Sequence, residues 1–397
     1  MEPSINNFSI RPGYPDFSDL PWGLSLSQWE GACSRLEEAP RGITRHTVVY
    51  VNYDGILYAL KEMPAGNAER EFNLLVQIES LRIPAVTPIG NLSIQSNQLH
   101  TSVLITRYLE HSIPYRSLFM TSSLIRYRKH LLDAIAGLLV QIHLAGIYWG
   151  DCSLSNTLFR RDAGTLRAYL VDAETAAIFP ERIPASLRHQ ELDIMEEIVD
   201  DELAELASAH LLFEGFPTHD TGAYIRLRYQ RLWDEITHEE TISPTDSYKI
   251  QERIRALNAL GFSINEVEFQ KSDSGDQIRL RVVVSDRNFH RDHLVNLTGI
   301  VAEEMQARQM MNEIQELRAN LSKANNRTTS LDVAAYHWLT HFYQPAIQRL
   351  KMLIKPDLNA TELYCLVLEH KWYLSEQASH DVGHVAAVDD YIQKFAA

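Results

Sequence analysis

A carboxylate and an amide five residues apart, with a second carboxylate closing an apolar run downstream, constrain this chain more than any other feature. They are Asp151, Asn156 and Asp172, in Gly150-Asp151-Cys152-Ser153-Leu154-Ser155-Asn156 and Leu170-Val171-Asp172. Such a set suits phosphoryl transfer. Asp151 is of the right type to accept the proton of an attacking hydroxyl. Asn156 and Asp172 offer oxygens to metal ions that neutralise a transferring phosphate. An Asp five residues before an Asn is common by chance, so the pattern gains its weight from two residues upstream.

The first is Lys61. It follows Gly55-Ile56-Leu57-Tyr58-Ala59-Leu60, which reads as a strand, with Val48-Val49-Tyr50-Val51 before it and Asn52-Tyr53-Asp54-Gly55 as the hairpin turn between them. A lysine on the second strand of such a hairpin can point at a nucleotide in a cleft below. The second is Glu71. Residues 68–81 carry Phe72, Leu75, Ile78 and Leu81 at helical spacing, and Glu71 borders that stripe. It can therefore orient Lys61 by an ion pair. Glu69 competes for this role, but its helical phase fits less well.

With these residues in place, the chain resembles the protein-kinase-like superfamily over roughly residues 40–215. Lys61 is similar to that superfamily's strand-three lysine, and Glu71-Phe72-Asn73-Leu74-Leu75 to its helix-C segment. Leu104 to Leu109 resembles the strand and hinge that bind adenine. Ile142 to Ile147 followed by Gly150-Asp151 resembles the catalytic loop of small-molecule and lipopolysaccharide kinases of the Kdo/WaaP type, which have Gly-Asp where protein kinases have Arg-Asp. The whole chain resembles an uncharacterised bacterial family whose C-terminal domain has no assigned function.

The resemblance implies an α+β, two-lobed fold with an antiparallel-sheet small lobe, a helical large lobe and an appended, mainly helical C-terminal domain. It implies ATP and Mg²⁺ as cofactors and a hydroxyl of a sugar, glycolipid or other small compound as acceptor, without excluding a protein. Asp151, Lys61 and Glu71 would be the catalytic set. Lys61, Gly42, Arg45, Thr106 and Tyr108 would bind nucleotide, and Asn156, Asp172 and Glu174 would bind metal. Trp149 and Gly150 stand where His and Arg usually precede the loop aspartate. Ala173-Glu174 replaces Phe-Gly. The phosphate loop offers one glycine, Gly42, in Arg41-Gly42-Ile43-Thr44-Arg45-His46-Thr47, so Arg45, His46 and threonine hydroxyls share its work. The alternatives are a nucleotide-binding scaffold whose C-terminal domain binds a protein partner, and another transfer from ATP such as adenylylation.

The net charge of −15 argues against nucleic acid or an anionic membrane as the main partner. Arg126, Arg128, Lys129 and His130 read as a solvated helix face. Three widely spaced cysteines imply reduced thiols and a cytoplasmic setting. The first 21 residues lack the apolar core of a secretory signal, and no run approaches the ~20 apolar residues of a membrane span.

The 397 residues divide into an arm and short helix (1–39), a small lobe (40–109), a large lobe (110–240) and an accessory domain (241–397). The proline-rich start reads as irregular, and Ser27–Glu38 as a short helix capped by Ser27. Helices are expected at 124–144, 187–213, 222–238, 247–260, 297–321 and through 331–395. Strands are expected near 91–94, 99–106, 262–269 and 278–284. The acidic run from Glu191 to Glu205 reads as a solvent face. His337 and His341 share a helix face, but Trp338, Phe342 and Tyr343 around them read as packing. His290, Asp292 and His293 read as a helix start, and Cys152 as a small packed residue.

Overall fold

The computed structural model describes residues 4–39, 45–95, 100–120, 127–180, 182–212, 220–237, 240–242, 266–271, 278–283, 289–324, 329–356 and 358–395. Gly42 and the helix expected at 247–260 lie outside them. Two compact units make up the chain. One takes in residues 1–159 and 168–231, the other 160–167 and 232–397.

The first unit opens with an antiparallel sheet in the order β1-β5-β6-β4-β3-β2. Its strands are β1 (Ser4–Ile10), β2 (Leu36–Glu37), β3 (Val48–Tyr53), β4 (Ile56–Pro64), β5 (Pro88–Gln95) and β6 (His100–Arg107). Asp54 (φ 54°) and Gly55 (φ 83°) form the two-residue turn between β3 and β4, where both left-handed dihedrals match strand twist. Strand alternation then sorts β4. Tyr58 and Leu60 join a core with Phe17, Trp22, Leu26 and Trp29, while Ala59 and Lys61 face the opposite side. Helix α1 (Asn67–Ser80) packs on β4, β5 and β6.

The N-terminal segment corrects two expectations. Its start is not irregular but pairs with β5 as β1. Gly90 makes this possible, because a Cβ there would lie 2.3 Å from Ile10 Cδ1 and 2.4 Å from the Ser9 carbonyl oxygen. Ser27–Glu38 is not a helix. A single 3₁₀ turn, Leu26–Gln28, seats Leu26 and Trp29 against the sheet, Gly31 at φ 75° turns the chain, and β2 follows.

The rest of this unit is largely helical. It holds β7 (Ile113–Pro114), α2 (Tyr115–Met120), α3 (Arg128–Leu144), β8 (Ile147–Tyr148), β9 (Thr157–Asp162), β10 (Thr165–Leu170), β11 (Ala177–Ile178), α4 (Ala185–Ser208) and most of α5 (Thr221–Thr237). β9 and β10 are the arms of a hairpin whose tip, 160–167, belongs to the second unit. Gly222 sits where a Cβ would come within 2.6 Å of the Glu196 carbonyl oxygen, so α4 and α5 touch backbone to backbone.

The second unit carries the small sheet β12 (Glu240–Ile242), β13 (Glu266–Lys271) and β14 (Ile278–Val283), ordered β12-β14-β13. The third strand, β12, is absent from the sequence reading. The helix expected at 297–321 starts later, as α7 (Glu304–Ala324), because a separate helix, α6 (Phe289–Thr298), ends at Gly299, φ 74°. Helix α8 (Leu331–Trp338) runs through a π turn, Leu339–Tyr343, into α9 (Gln344–Leu350). Helices α10 (Ala360–Ala378) and α11 (Gly383–Phe395) complete a core around Met310, Ile314, Trp338, Tyr343 and Tyr364. No helix among the described residues is long and apolar enough to cross a membrane.

Asp162 is buried inside this second unit. Burial, then the neighbouring Glu303 carboxylate, push its carboxyl from the ordinary 3.8 up to about 7, against the pull of Arg167 and backbone amides. Between those two values the folded protein keeps a proton that the unfolded chain releases, so stability falls as pH rises through that window. Asp162→Asn removes the titration. Its melting temperature should fall less between pH 5 and 7 than that of the wild type. Equal slopes in the two melting series would contradict this origin.

Candidate active site

Lys61 lies between two carboxylates. Its Nζ donates to Glu71 Oε2 at 3.0 Å, to Glu71 Oε1 at 3.4 Å and to Asp172 Oδ2 at 2.7 Å. Glu71 is fully buried, on the face of α1 that also buries Ala68, Leu75 and Ile78, whereas Glu69 is exposed. Glu71 Oε1 also accepts the Ala173 amide at 3.1 Å, which ties α1 to the segment carrying Asp172. Burial first, and the Asp172 charge second, raise the Glu71 carboxyl to about 7, with Lys61 opposing both. Burial works against the Lys61 ammonium, but the two carboxylates outweigh it and its pKa is raised.

The loop bearing Asp151 and Asn156 is held mainly through its backbone. Glu191 Oε1 accepts the Trp149 and Gly150 amides at 2.8 and 2.6 Å. Glu191 Oε2 bonds His143 Nε2 at 2.8 Å, and His143 Nδ1 bonds the Tyr229 hydroxyl at 2.7 Å. About three turns further along α4, Glu202 accepts the Leu154 and Ser155 amides at 2.7 and 3.0 Å. Asn156 Nδ2 donates to the Asp151 carbonyl at 3.1 Å, and the Asn156 amide to Ser153 Oγ at 3.1 Å. Trp149 Nε1 donates to the Asp172 carbonyl at 2.7 Å, and Thr175 Oγ1 to the Trp149 carbonyl at 2.8 Å. These two bonds join the Asp151 and Asp172 segments. Gly150, at φ 83°, leaves little room for a side chain: a Cβ would lie 3.0 Å from the Thr175 carbonyl oxygen, and the left-handed backbone disfavours any other residue.

Of the acids from Glu191 to Glu205, expected to face solvent, Asp193, Glu197, Asp201 and Glu205 do so, while these contacts turn Glu191 and Glu202 inward. Glu191 is 1% exposed, and burial raises the Glu202 carboxyl above its usual range. The signal was present in the helical phase. Glu191 falls on the stripe of Leu192, Met195, Val199, Leu203 and Leu206, all buried. Cys152 is buried, and its thiol is pushed well up by desolvation, as befits a packed residue.

A cavity of about 900 Å³ opens at this point. Lys61, Asp151, Asn156, Asp172 and Glu174 line it, as do Arg45, Thr106 and Tyr108; Val48, Ala59, Leu104, Leu158 and Val171 add apolar walls. The Tyr108 amide donates to the Leu57 carbonyl at 3.0 Å, and its ring meets Tyr50 edge-on at 5.5 Å, so Tyr108 offers the cavity side-chain surface and not that N–H. Glu174 is held by Asn67 Nδ2 at 2.7 Å and His46 Nε2 at 3.2 Å. Among the described residues no three His, Cys, Asp or Glu side chains gather around one point. A carboxylate and an amide oxygen nevertheless suit Mg²⁺, which commonly takes one or two protein oxygens and completes its shell with phosphate and water. His337 and His341 stack at 4.1 Å, with His341 Nδ1 bonded to the His337 carbonyl.

Residues 52–205 match the Lipopolysaccharide kinase (Kdo/WaaP) family. The matched segment contains Lys61, Glu71, Asp151, Asn156 and Asp172, together with Glu191 and Glu202. Residues 231–396 match a domain of unknown function, DUF4032. No curated protein sequence matches the chain. Among solved structures, one described as WaaP in complex with acyl carrier protein is 15% identical, covering 64% of this chain and 98% of its own, with a TM-score of 0.37. The Cydia pomonella granulovirus kinase PK-1 is 14% identical, covering 51% and 90%, with a TM-score of 0.32. The kinase-like fold is carried by the family match and by the sheet, helix and loop order described above. A kinase-like phosphotransferase domain is the class that this match supports.

The Glu191 carboxylate can be tested directly. Glu191→Ala leaves two buried amides and a buried histidine nitrogen without their acceptor, a loss of about 3 kcal/mol or more. Chemical denaturation should show a destabilisation of that order. A loss below about 1 kcal/mol would mean that the loop is held elsewhere.

Proposed function

We propose that this chain is an ATP- and Mg²⁺-dependent phosphotransferase acting on a hydroxyl of a sugar, glycolipid or other small acceptor. The observation that carries the reading is the meeting of Lys61 with both Glu71 and Asp172 at the wall of a cavity that Asp151 and Asn156 also line. In this reading Lys61 contacts the nucleotide phosphates and Glu71 fixes its direction. Asp172 and Asn156 hold the metal, which when bound neutralises charge on the transferring group. Asp151 orients the acceptor hydroxyl and takes its proton as the oxygen bonds to phosphorus and ADP leaves. The apolar walls near Thr106 and Tyr108 receive the base, and Arg45 adds positive charge near the phosphates. Gly42, outside the described residues, is proposed to complete that end. Glu174, bonded to Asn67 and His46, is proposed as a further carboxylate on the metal side.

The experiment is transfer from γ-labelled ATP, with Mg²⁺, into separated glycolipid, soluble-sugar and protein fractions. Label should enter a hydroxyl of one fraction with the wild type. Asp151→Asn keeps size and polarity but removes the base. It should bind Mg-ATP within a few-fold of wild type and transfer about a hundredfold less, or slower still. Undiminished transfer by that variant would remove Asp151 from the chemistry. Absence of label in every fraction, with nucleotide still bound, would favour the scaffold alternative.

A further inference from the structure

Helix α1 turns one face to the segment that carries Asp172. On that face Glu71 accepts the Ala173 amide and the Lys61 ammonium. Asn67, four residues earlier, donates to Glu174 Oε1 at 2.7 Å. At 3.6 residues per turn, Arg70 stands about 60° round the helix from Asn67, on the side away from Glu71. Its side chain lines the same cavity as Lys61, Asp151, Asn156 and Asp172. Glu71 is buried, whereas Arg70 is exposed.

The carboxylates that α1 meets here are engaged by other groups. Glu174 accepts from Asn67 through Oε1 and bonds His46 Nε2 through Oε2. Glu71 and Asp172 share the Lys61 ammonium. Glu69 is next to Arg70 in sequence, and neighbours at that spacing do not face each other on a helix. Among the described residues the Arg70 guanidinium forms no ion pair or hydrogen bond. It is a charged fork at the wall of the cavity, carried on a helix that Asn67 and Glu71 tie to residues 173 and 174.

A phosphoryl group in transfer spreads negative charge over three oxygens, and donors already aimed at it lower the barrier. The charge of Lys61 is divided between two carboxylates, and residues 41–47 hold one glycine, so few backbone amides can approach closely. A guanidinium offers five N–H donors in a plane and stays protonated throughout the working pH range. We propose that Arg70 is a further catalytic residue of this site, whose N–H groups bind the non-bridging oxygens of the γ-phosphoryl group as it passes from ATP to the acceptor. The proposal rests on the phosphotransferase reading. In that step the acceptor oxygen bonds to the γ-phosphorus and its proton goes to Asp151. The bond from that phosphorus to the bridging oxygen breaks, and ADP leaves with the electron pair. Arg70 exchanges no atom; it takes up charge that ADP alone does not present. The position of Arg70 beside the Asp172–Glu174 segment, which carries the proposed metal carboxylate, is what assigns it to the γ-phosphate and not to the base.

Calorimetric binding of Mg-ADP and of a non-hydrolysable Mg-ATP analogue to the full chain tests this, together with phosphate transfer to the acceptor or to water. Arg70→Met keeps the apolar stem and removes the charge; Arg70→Lys keeps the charge and removes the fork. The wild type should bind the analogue more tightly than ADP. Arg70→Met should bind ADP as the wild type does, bind the analogue about tenfold more weakly, and transfer about a hundredfold less. Arg70→Lys should recover part of both losses. All three should melt together, because Arg70 is exposed. Equal weakening of ADP and analogue would overturn the proposal, since Arg70 would then serve the nucleotide as a whole. Unchanged binding and transfer in Arg70→Met, or a wild type with no preference for the analogue, would overturn it too, with the phosphotransferase reading left standing. A wild type that binds neither nucleotide would end that reading and this proposal together. Where neither acceptor nor water takes the group, the difference between the two affinities decides.

Discussion

One buried carboxylate organises the centre of the first unit. Glu191 takes the two amides that precede Asp151, and its other oxygen is fixed by His143, which Tyr229 fixes in turn. Eleven residues along the same helix, about 16 Å at 1.5 Å per residue, Glu202 takes two more amides of the same loop. Helix α4 thus works as a ruler laid under the loop. A loop whose amides are satisfied by a rigid helix does not need regular structure of its own. Asp151, Ser153, Ser155 and Asn156 of this loop line the cavity, while Cys152 and Leu154 are buried.

Above that loop the electrostatics are unbalanced in a useful direction. Lys61 is one cation serving two carboxylates. Burial first and the Asp172 charge second raise the Glu71 carboxyl to about 7, against the pull of Lys61. The Trp149 indole and the Thr175 hydroxyl tie the Asp172 segment to the Asp151 loop. In the reading advanced above, Trp149 performs a joining task that its sequence position alone does not announce.

Much of this was legible in the sequence. The hairpin pattern places Lys61 on a second strand, and helical phase separates Glu71 from Glu69; both are local rules applied to clear patterns. The losses have physical causes. Glu191 and Glu202 were read as solvent-facing because charge outweighed phase, although Glu191 lies on the buried stripe of α4. β1 was hidden because its pairing depends on Gly90, some 80 residues away. The apolar pattern runs on through Ile300, Val301 and Ala302 and so hides the break at Gly299. Membership of residues 160–167 in the C-terminal unit is non-local, decided by Gln306 and Glu362, and no local pattern encodes it.

The most direct measurement is a crystal structure of the protein with Mn²⁺ and a non-hydrolysable ATP analogue, read by the anomalous signal of the metal. The account predicts a metal peak within bonding distance of Asp172 and the Asn156 side-chain oxygen, with the analogue's phosphates beside Lys61 and its base near Thr106 and Tyr108. A metal bound elsewhere, or an analogue outside this cavity, would contradict it.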